Sequence, residues 1–313
     1  MSTISTWRTI SSLSLLALLL IWESLLPFFS YFVGSGRERA SHGLKNLALG
    51  ALNSVLTGMG FVALWWTTAR WAQAHGVGLL NGLLLPEWVR LIAAFLLFDG
   101  WMYWWHRLNH RIPFLWRFHR THHSDPRMDV TTANRFHIGE IALSSVLRVP
   151  IIALLGLQLW EVAFYELAMF TVVQVHHANI AFPAWLDRAL RVFIVTPFMH
   201  KVHHSRSQPE TDSNYSSLFS FWDRLFRTLR LRGDPRTLRY GLEEFDPPEN
   251  HTLLGLLATP IKRVRRRTDQ TVPSLSNTAS PLDRLKPPTQ PGKPQTADWF
   301  AEEPNRNRPP NGP

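Results

Sequence analysis

Trp104-Trp105-His106-Arg107-Leu108-Asn109-His110 closes an apolar run and opens a histidine-rich stretch that continues through His119-Arg120-Thr121-His122-His123 to His137. Residues three and four apart share a helix face, so His106 and His110 project together, and so do His119, His122 and His123. Further on, His176-His177 and His200-Lys201-Val202-His203-His204 offer more imidazoles, the latter again on one face. Three such faces can surround a metal centre. Neutral imidazole binds iron, zinc, copper and nickel, so the spacing specifies a metal without specifying which. With 14 histidines in 313 residues, a His-x-x-His-His string is expected by chance roughly 0.03 times per chain. It occurs twice, which separates these residues from His42, His75 and His251, lone histidines for which a structural role is the default.

The solvent in which this stretch works follows from composition. Mean hydropathy is near zero, but it averages an apolar front half with a polar, Pro-rich end. The absence of cysteine excludes disulfides, thiolate metal sites, iron–sulfur clusters and cysteine nucleophiles, leaving His with Asp or Glu to hold any metal. A formal charge of +10 would suggest nucleic acid in a soluble chain. Here the Lys and Arg follow the apolar spans and thicken toward the end, so anionic lipid is the expected partner and nucleic acid is not. The 14 Trp fit membrane–water interfaces, although in a helical bundle many are core.

Leu13 to Val33, with Glu23 inside it, reads as a first span, Leu47 to Thr68 as a second and Trp88 to Trp105 as a third. Gly50, Gly58 and Gly60 let neighbouring helices approach the second closely. The loop Gly34–Asn46 and everything after His106 carry more Lys and Arg than the loop before the third span. Counting positive charge therefore places them on the cytoplasmic side, with the amino terminus outside. Ile138–Leu159 and Trp160–Val175 form a hairpin about Gly156, near the lower length for crossing a bilayer, with Pro150 kinking or ending the first arm. Phe182–Thr196 is amphipathic and suits the interface. Phe198–Ser205 is the last histidine helix, and Tyr215–Leu231 an aromatic-rich one. An apolar run, Leu253–Ile261, leads into Lys262-Arg263-Val264-Arg265-Arg266-Arg267, a surface anchor for anionic lipid. From Thr268 onward Pro, Thr, Asn and Ser predominate, and a disordered tail is expected.

Asp99-Gly-Trp-Met-Tyr-Trp-Trp-His106-Arg-Leu-Asn-His110, Phe118-His119-Arg-Thr-His122-His123-Ser124, Arg135-Phe-His137-Ile-Gly-Glu140, His177-Ala-Asn179, His200-Lys-Val-His203-His204, Asp212-Ser-Asn214-Tyr215 and Trp222-Asp223-Arg-Leu-Phe226-Arg-Thr228 resemble the fatty acid hydroxylase / sterol desaturase family in order as well as spacing. The resemblance covers roughly residues 90–230. Ile138 stands where the family often has Pro, and Ser216 where it often has Gly.

The resemblance implies an all-α integral membrane helical bundle with a histidine-rich di-iron cap at the cytoplasmic side. It divides into N-terminal spans and loops over 1–88, a catalytic domain over 89–232, a membrane-surface basic segment over 233–267 and a disordered tail over 268–313. Two Fe ions would be held by His106, His110, His119, His122, His123, His137, His177, His200, His203 and His204, with O2 as co-substrate and a lipid such as a fatty acyl chain or sterol-like molecule oxidised by hydroxylation or desaturation. His176 diverges from His177 by about 100° on a helix and would support the ligands rather than join them. Asp99, Asp125, Asp129, Glu140, Asn179 and Asn214 are further candidates for orienting ligand rings. Electrons would come from a separate cytochrome b5, ferredoxin or reductase, since the chain has no dinucleotide fingerprint and no cysteine cluster. A zinc-dependent membrane hydrolase would require a general base beside its ligands, and His-Glu-x-x-His is absent. A metal transporter usually places its ligands near the bilayer midplane, and a haem-binding electron carrier needs only a few histidines on facing spans.

Overall fold

The computed structural model describes residues 2–32 and 34–263; the expected disordered tail and most of the basic run Lys262–Arg267 lie outside the described residues. Every element among the described residues is helical. Helix α1 spans Ser2–Leu25, α2 Gly36–Leu56 and α3 Val62–Ala74, joined to α2 by a wide helical turn over Thr57–Phe61. Helix α4 spans Glu87–Arg111, α5 Pro113–His123, α6 Ile138–Leu155 and α7 Leu159–His177. Short helices follow: α8 Ala184–Leu190, α9 Pro197–His203, α10 Gln208–Thr211, α11 Phe221–Leu225 and α12 Leu253–Leu257.

Two helices are long and apolar enough to cross a membrane, the continuous Gly36–Ala74 and Ile138–Leu155. Their outer faces stay apolar, with Val55, Met59, Trp66, Val146 and Leu154 exposed. A surface of that kind requires covering by lipid or protein. Three expectations change. The first apolar run ends as a helix at Leu25, because Pro27 pushes the residue before it out of the helical region. The run Trp88–Trp105 lies inside α4, which does not meet the length and composition of a span. The second begins at Gly36, eleven residues before its expected start, so its leading turns pack on the segment Val130–Asn134 rather than forming a loop. At 39 residues, Gly36–Ala74 is about 58 Å long, well beyond one hydrocarbon thickness.

The hairpin forms as the sequence predicts. Gly156 sits at φ +69 as the left-handed cap of α6, and α7 starts three residues later. Pro150 is accommodated within α6 without ending it. The turn is held from outside: Arg90 on α4 donates to Glu161 Oε1 (2.8 Å), Leu80 O (2.9 Å) and Gly156 O (2.7 Å). Between α3, α4, α6 and α7 lies an apolar core built on Trp65, Phe98, Trp105, Ile152 and Tyr165.

Two buried carboxylates close the frame. Asp99 on α4 accepts from Tyr165 of α7 (2.5 Å), from the Phe219 amide (3.1 Å) and from Trp222 Nε1 (2.8 Å). Glu23, near the end of α1, accepts from Arg39 (3.0 Å) and from the amides of Val130 (3.1 Å) and Asn179 (3.0 Å). The aromatic helix expected over Tyr215–Leu231 is mostly absent, reduced to α11. Asp223 accepts from the Tyr215 and Ser216 amides and from Thr228, while Asn214 and Arg227 adopt positive φ, so the chain folds back around its own carboxylate.

Candidate metal centre

Four elements deliver the imidazoles. The last turn of α4 carries His106 and His110, the last turns of α5 carry His119, His122 and His123, α7 ends on His176-His177, and α9 carries His200 and His203, with His204 as its C-cap. Helix periodicity turns each set inward, and the elements converge so that the rings divide into two groups. His106, His110, His119, His123 and His203 form one, and His122, His177, His200 and His204 the other, each with one nitrogen per ring lying within 4.8 Å of the rest.

Outer partners set the tautomers. A carbonyl oxygen only accepts, so His106 Nδ1 donates to Tyr215 O (2.8 Å), His203 Nδ1 to Ser213 O (2.7 Å) and His177 Nδ1 to Val173 O (2.8 Å). His119 Nδ1 donates to Glu140 Oε1 (2.9 Å). Each of these rings is thereby left with a bare Nε2 lone pair. The Nε2 atoms of His106, His110, His119, His123, His203 and His204 are buried without a partner, and those of His122 and His200 lie 3.1 Å and 3.0 Å from His177 Nε2. Burial first, and repulsion among neighbouring rings second, hold His122, His123, His200 and His204 well below the ordinary histidine range. Burial pulls His203 down to about 3. Six buried, unpartnered Nε2 atoms, beside three more that crowd together with no other partner between them, fit a pair of metal ions; a structural cluster would have satisfied them with hydrogen bonds.

His137, predicted as a tenth ligand, is not brought into either group. It caps α6, its Nδ1 accepting from Gly139 N (2.9 Å), and its Nε2 donates to Leu257 O (3.0 Å). Both ring nitrogens are used, and the ring rests against Phe118. His137→Ala is therefore expected to keep the full metal content while losing about 1 kcal/mol of stability with its helix cap. Elemental analysis beside a thermal melt checks both.

His176 stacks on His200 at 3.9 Å with both ring nitrogens unpartnered, outside the two groups. Glu140 touches one of the clustered histidines directly, His119, and Asn109 lies 3.5 Å from the same carboxylate oxygen. Asp125 sits behind the histidines, accepting from Thr132 (2.7 Å) and the Arg127 amide (3.1 Å). Burial raises its carboxyl, but His42 and Arg135 outweigh that and bring it to about 2. Asp129 caps the short turn Val130–Asn134. Asn179 bonds the Phe29 backbone in both directions, and Asn214 ties Met199 O to Arg230. Asp99 works two turns away, on the frame.

Sequence reasoning missed three features. Asp212 lies 3.4 Å from His110 Nδ1, and its place in Asp212-Ser-Asn214-Tyr215 was the signal. Lys201, between His200 and His203, is buried and donates to Ala178 O (2.7 Å), and burial draws its ammonium down to about 7. The carbonyls of Val173, Ser213 and Tyr215 leave no trace in side-chain identity.

A cavity of about 500 Å³ reaches this centre, lined by His106, His119, His122 and His176 and also by Met102, Trp105, Phe170 and Val173. A mostly apolar wall with a small number of polar groups is the usual plan of a small-molecule site.

The family model for fatty acid hydroxylases matches residues 91–228, which hold all nine clustered histidines. The cholesterol 25-hydroxylase-like protein of Danio rerio is 30% identical over 188 residues, 58% of this chain and 70% of that protein. Human alkylglycerol monooxygenase is 28% identical over 168 residues, and the ornithine lipid hydroxylase of Rhizobium tropici 27% identical over 157. Each of those two alignments covers 50% of this chain, with 34% and 46% of the respective relative. The chain thus spans about a third of the length of the first and under half of the second. No solved structure matches. The family match over 91–228 and a relative 30% identical over 70% of its own length give one conclusion: the chain belongs to the fatty acid hydroxylase family.

Proposed function

We propose that this protein is a multi-pass membrane oxygenase that uses O2 and external electrons to hydroxylate a C–H bond of a lipid. Two irons are held by the five-histidine and four-histidine groups. The observation that carries the reading is the meeting of two histidine groups with a mostly apolar cavity, which members of both groups line, in a chain whose relatives are named hydroxylases and monooxygenases. Those names favour hydroxylation over desaturation. Bound iron supplies the activation of O2 and the oxidation of an otherwise unreactive C–H bond.

The chain's residues supply the rest. Glu140, one of the cavity-lining residues, fixes the His119 tautomer, and its second oxygen is buried without a partner. Met102, Trp105 and Phe170 exclude water from the reacting carbon. Electrons come from a separate cytochrome b5, ferredoxin or reductase. The catalytic domain is assigned to 89–232, facing the cytoplasm by its positive charge, with the basic run from Lys262 binding anionic lipid.

The test is elemental analysis of detergent-solubilised protein grown with iron, followed by reductant, lipid and ¹⁸O2. About two irons per chain and one ¹⁸O per hydroxylated product are expected, since one oxygen atom of O2 enters the substrate. Lipid cleavage without O2, by a zinc-only preparation, would replace the reading with a hydrolase.

A further inference from the structure

Among the described residues, three aromatic side chains other than histidine pack directly on the clustered histidines. Tyr215 meets His106, His110 and His203 and is fully buried, and Phe136 stacks on His122 and lines the cavity. Trp116 differs from both. Its ring lies 5.0 Å from that of His110, 5.4 Å from His123 and 6.2 Å from His119, all members of the five-histidine group. Yet it is partly exposed, and it is not among the residues that line the cavity. Trp116 therefore joins this group to the outer surface by a route separate from the cavity.

The surface around it is basic. Trp116 stands just past the turn from α4 into α5, and the stretch Arg107–Arg117 carries three arginines and no Asp or Glu. Arg111 and Arg117 are exposed, and neither enters an ion pair among the described residues. Asp212 reaches the same corner, with its carboxylate 3.4 Å from His110 Nδ1. Ile112 and Phe114 are exposed beside the arginines. Arginine and aromatic side chains are enriched where proteins meet, and unpaired surface cations speed the encounter with an acidic partner. A bilayer surface would also accept arginines beside apolar side chains. A redox partner is the occupant that draws on the ring, because electron transfer falls steeply with separation and Trp116 leaves a single side chain between the surface and the histidines. On the oxygenase reading above, which takes electrons from outside, we propose that the α4–α5 corner is the docking surface of an acidic one-electron carrier protein, whose electrons enter through Trp116. In each transfer the reduced carrier loses one electron and the metal ion in the five-histidine group gains it, with no bond made or broken. Two transfers, with two protons from water, release the second oxygen atom of O2 as water.

The test uses iron-loaded full-length protein in phosphatidylcholine nanodiscs, with the acidic soluble domain of a cytochrome b5 and an acidic [2Fe–2S] ferredoxin as probes. Affinity is measured with the oxidised probes, without turnover, and anaerobic mixing with the reduced probes gives the rate at which each is reoxidised. At least one probe is expected to bind, more weakly as salt is raised. Arg111→Glu with Arg117→Glu is expected to weaken that binding about tenfold while iron content and the rate at saturating probe are kept. Trp116→Leu is expected to keep iron content and reduction by dithionite but to lose most of the reoxidation rate at saturating probe. Trp116→Phe, which retains a ring, is expected to recover much of it. The proposal is overturned if neither probe binds, as when lipid covers the corner, if affinity ignores both salt and the charge reversal, or if Trp116→Leu keeps the full rate. Should the double variant fail to load iron, the salt dependence of the wild-type protein and Arg117→Glu alone decide. Failure of the oxygenase reading would show separately, as missing iron in the wild-type protein or missing ¹⁸O in the product.

Discussion

His203→Ala and His204→Ala are each expected to abolish hydroxylation while the protein still inserts in the membrane and purifies as a single species. The two residues are adjacent in sequence, yet they serve different groups, His203 with His106, His110, His119 and His123, and His204 with His122, His177 and His200. Each variant therefore weakens one ion, and the two are expected to hold the other with wild-type affinity. The loss of affinity should exceed the roughly 10–100-fold that follows from removing a mere outer partner of a ligand. Glu140→Gln supplies that comparison, because it disturbs His119 only through its Nδ1 bond. Metal titration of the three variants, read against activity, checks the division. Equal loss of both ions in both histidine variants would mean that the groups form a single site.

The second large effect is on the frame. Asp99→Ala leaves the Tyr165 hydroxyl, the Phe219 amide and the Trp222 indole N–H without an acceptor in a place water does not reach. Orphaned buried donors cost about 1–3 kcal/mol each, partly overlapping, so a destabilisation of about 3–5 kcal/mol is expected. Asp99→Asn keeps one acceptor oxygen and is expected to lose roughly half as much. Because the Phe219–Trp222 segment follows Tyr215, whose carbonyl orients His106, metal affinity should fall with stability. Thermal unfolding in detergent, with and without added iron, separates the two effects.

What could be read from the chain follows from how far each interaction reaches. The pairing of His106 with His110, or of His119 with His122 and His123, needs only helix geometry, and Gly156 announces its turn by its own conformational freedom. The resemblance carried by those motifs agrees with the family match over 91–228. Other features depend on residues far away in sequence. Tyr215–Leu231 has a helical composition, but Asp223 captures two upstream amides and folds the segment back. His137 sits in a family motif beside Glu140 and looks like a ligand until Leu257, 120 residues on, takes its Nε2. The split into five and four is likewise invisible in spacing, since neighbours such as His122 and His123 enter different groups.

Glu23 also bears on where this protein can be divided. The family match begins at residue 91, which invites treating everything before it as a detachable anchor. Yet the amides of Val130 and Asn179 find their acceptor in Glu23, and the guanidinium of Arg135 finds one of its acceptors in Asn46 (3.0 Å). The homologous segment is consequently not autonomous. Its interior is completed by side chains that arrive from helices outside it, so the unit that must be inherited, transplanted or expressed intact is longer than the region that similarity reveals.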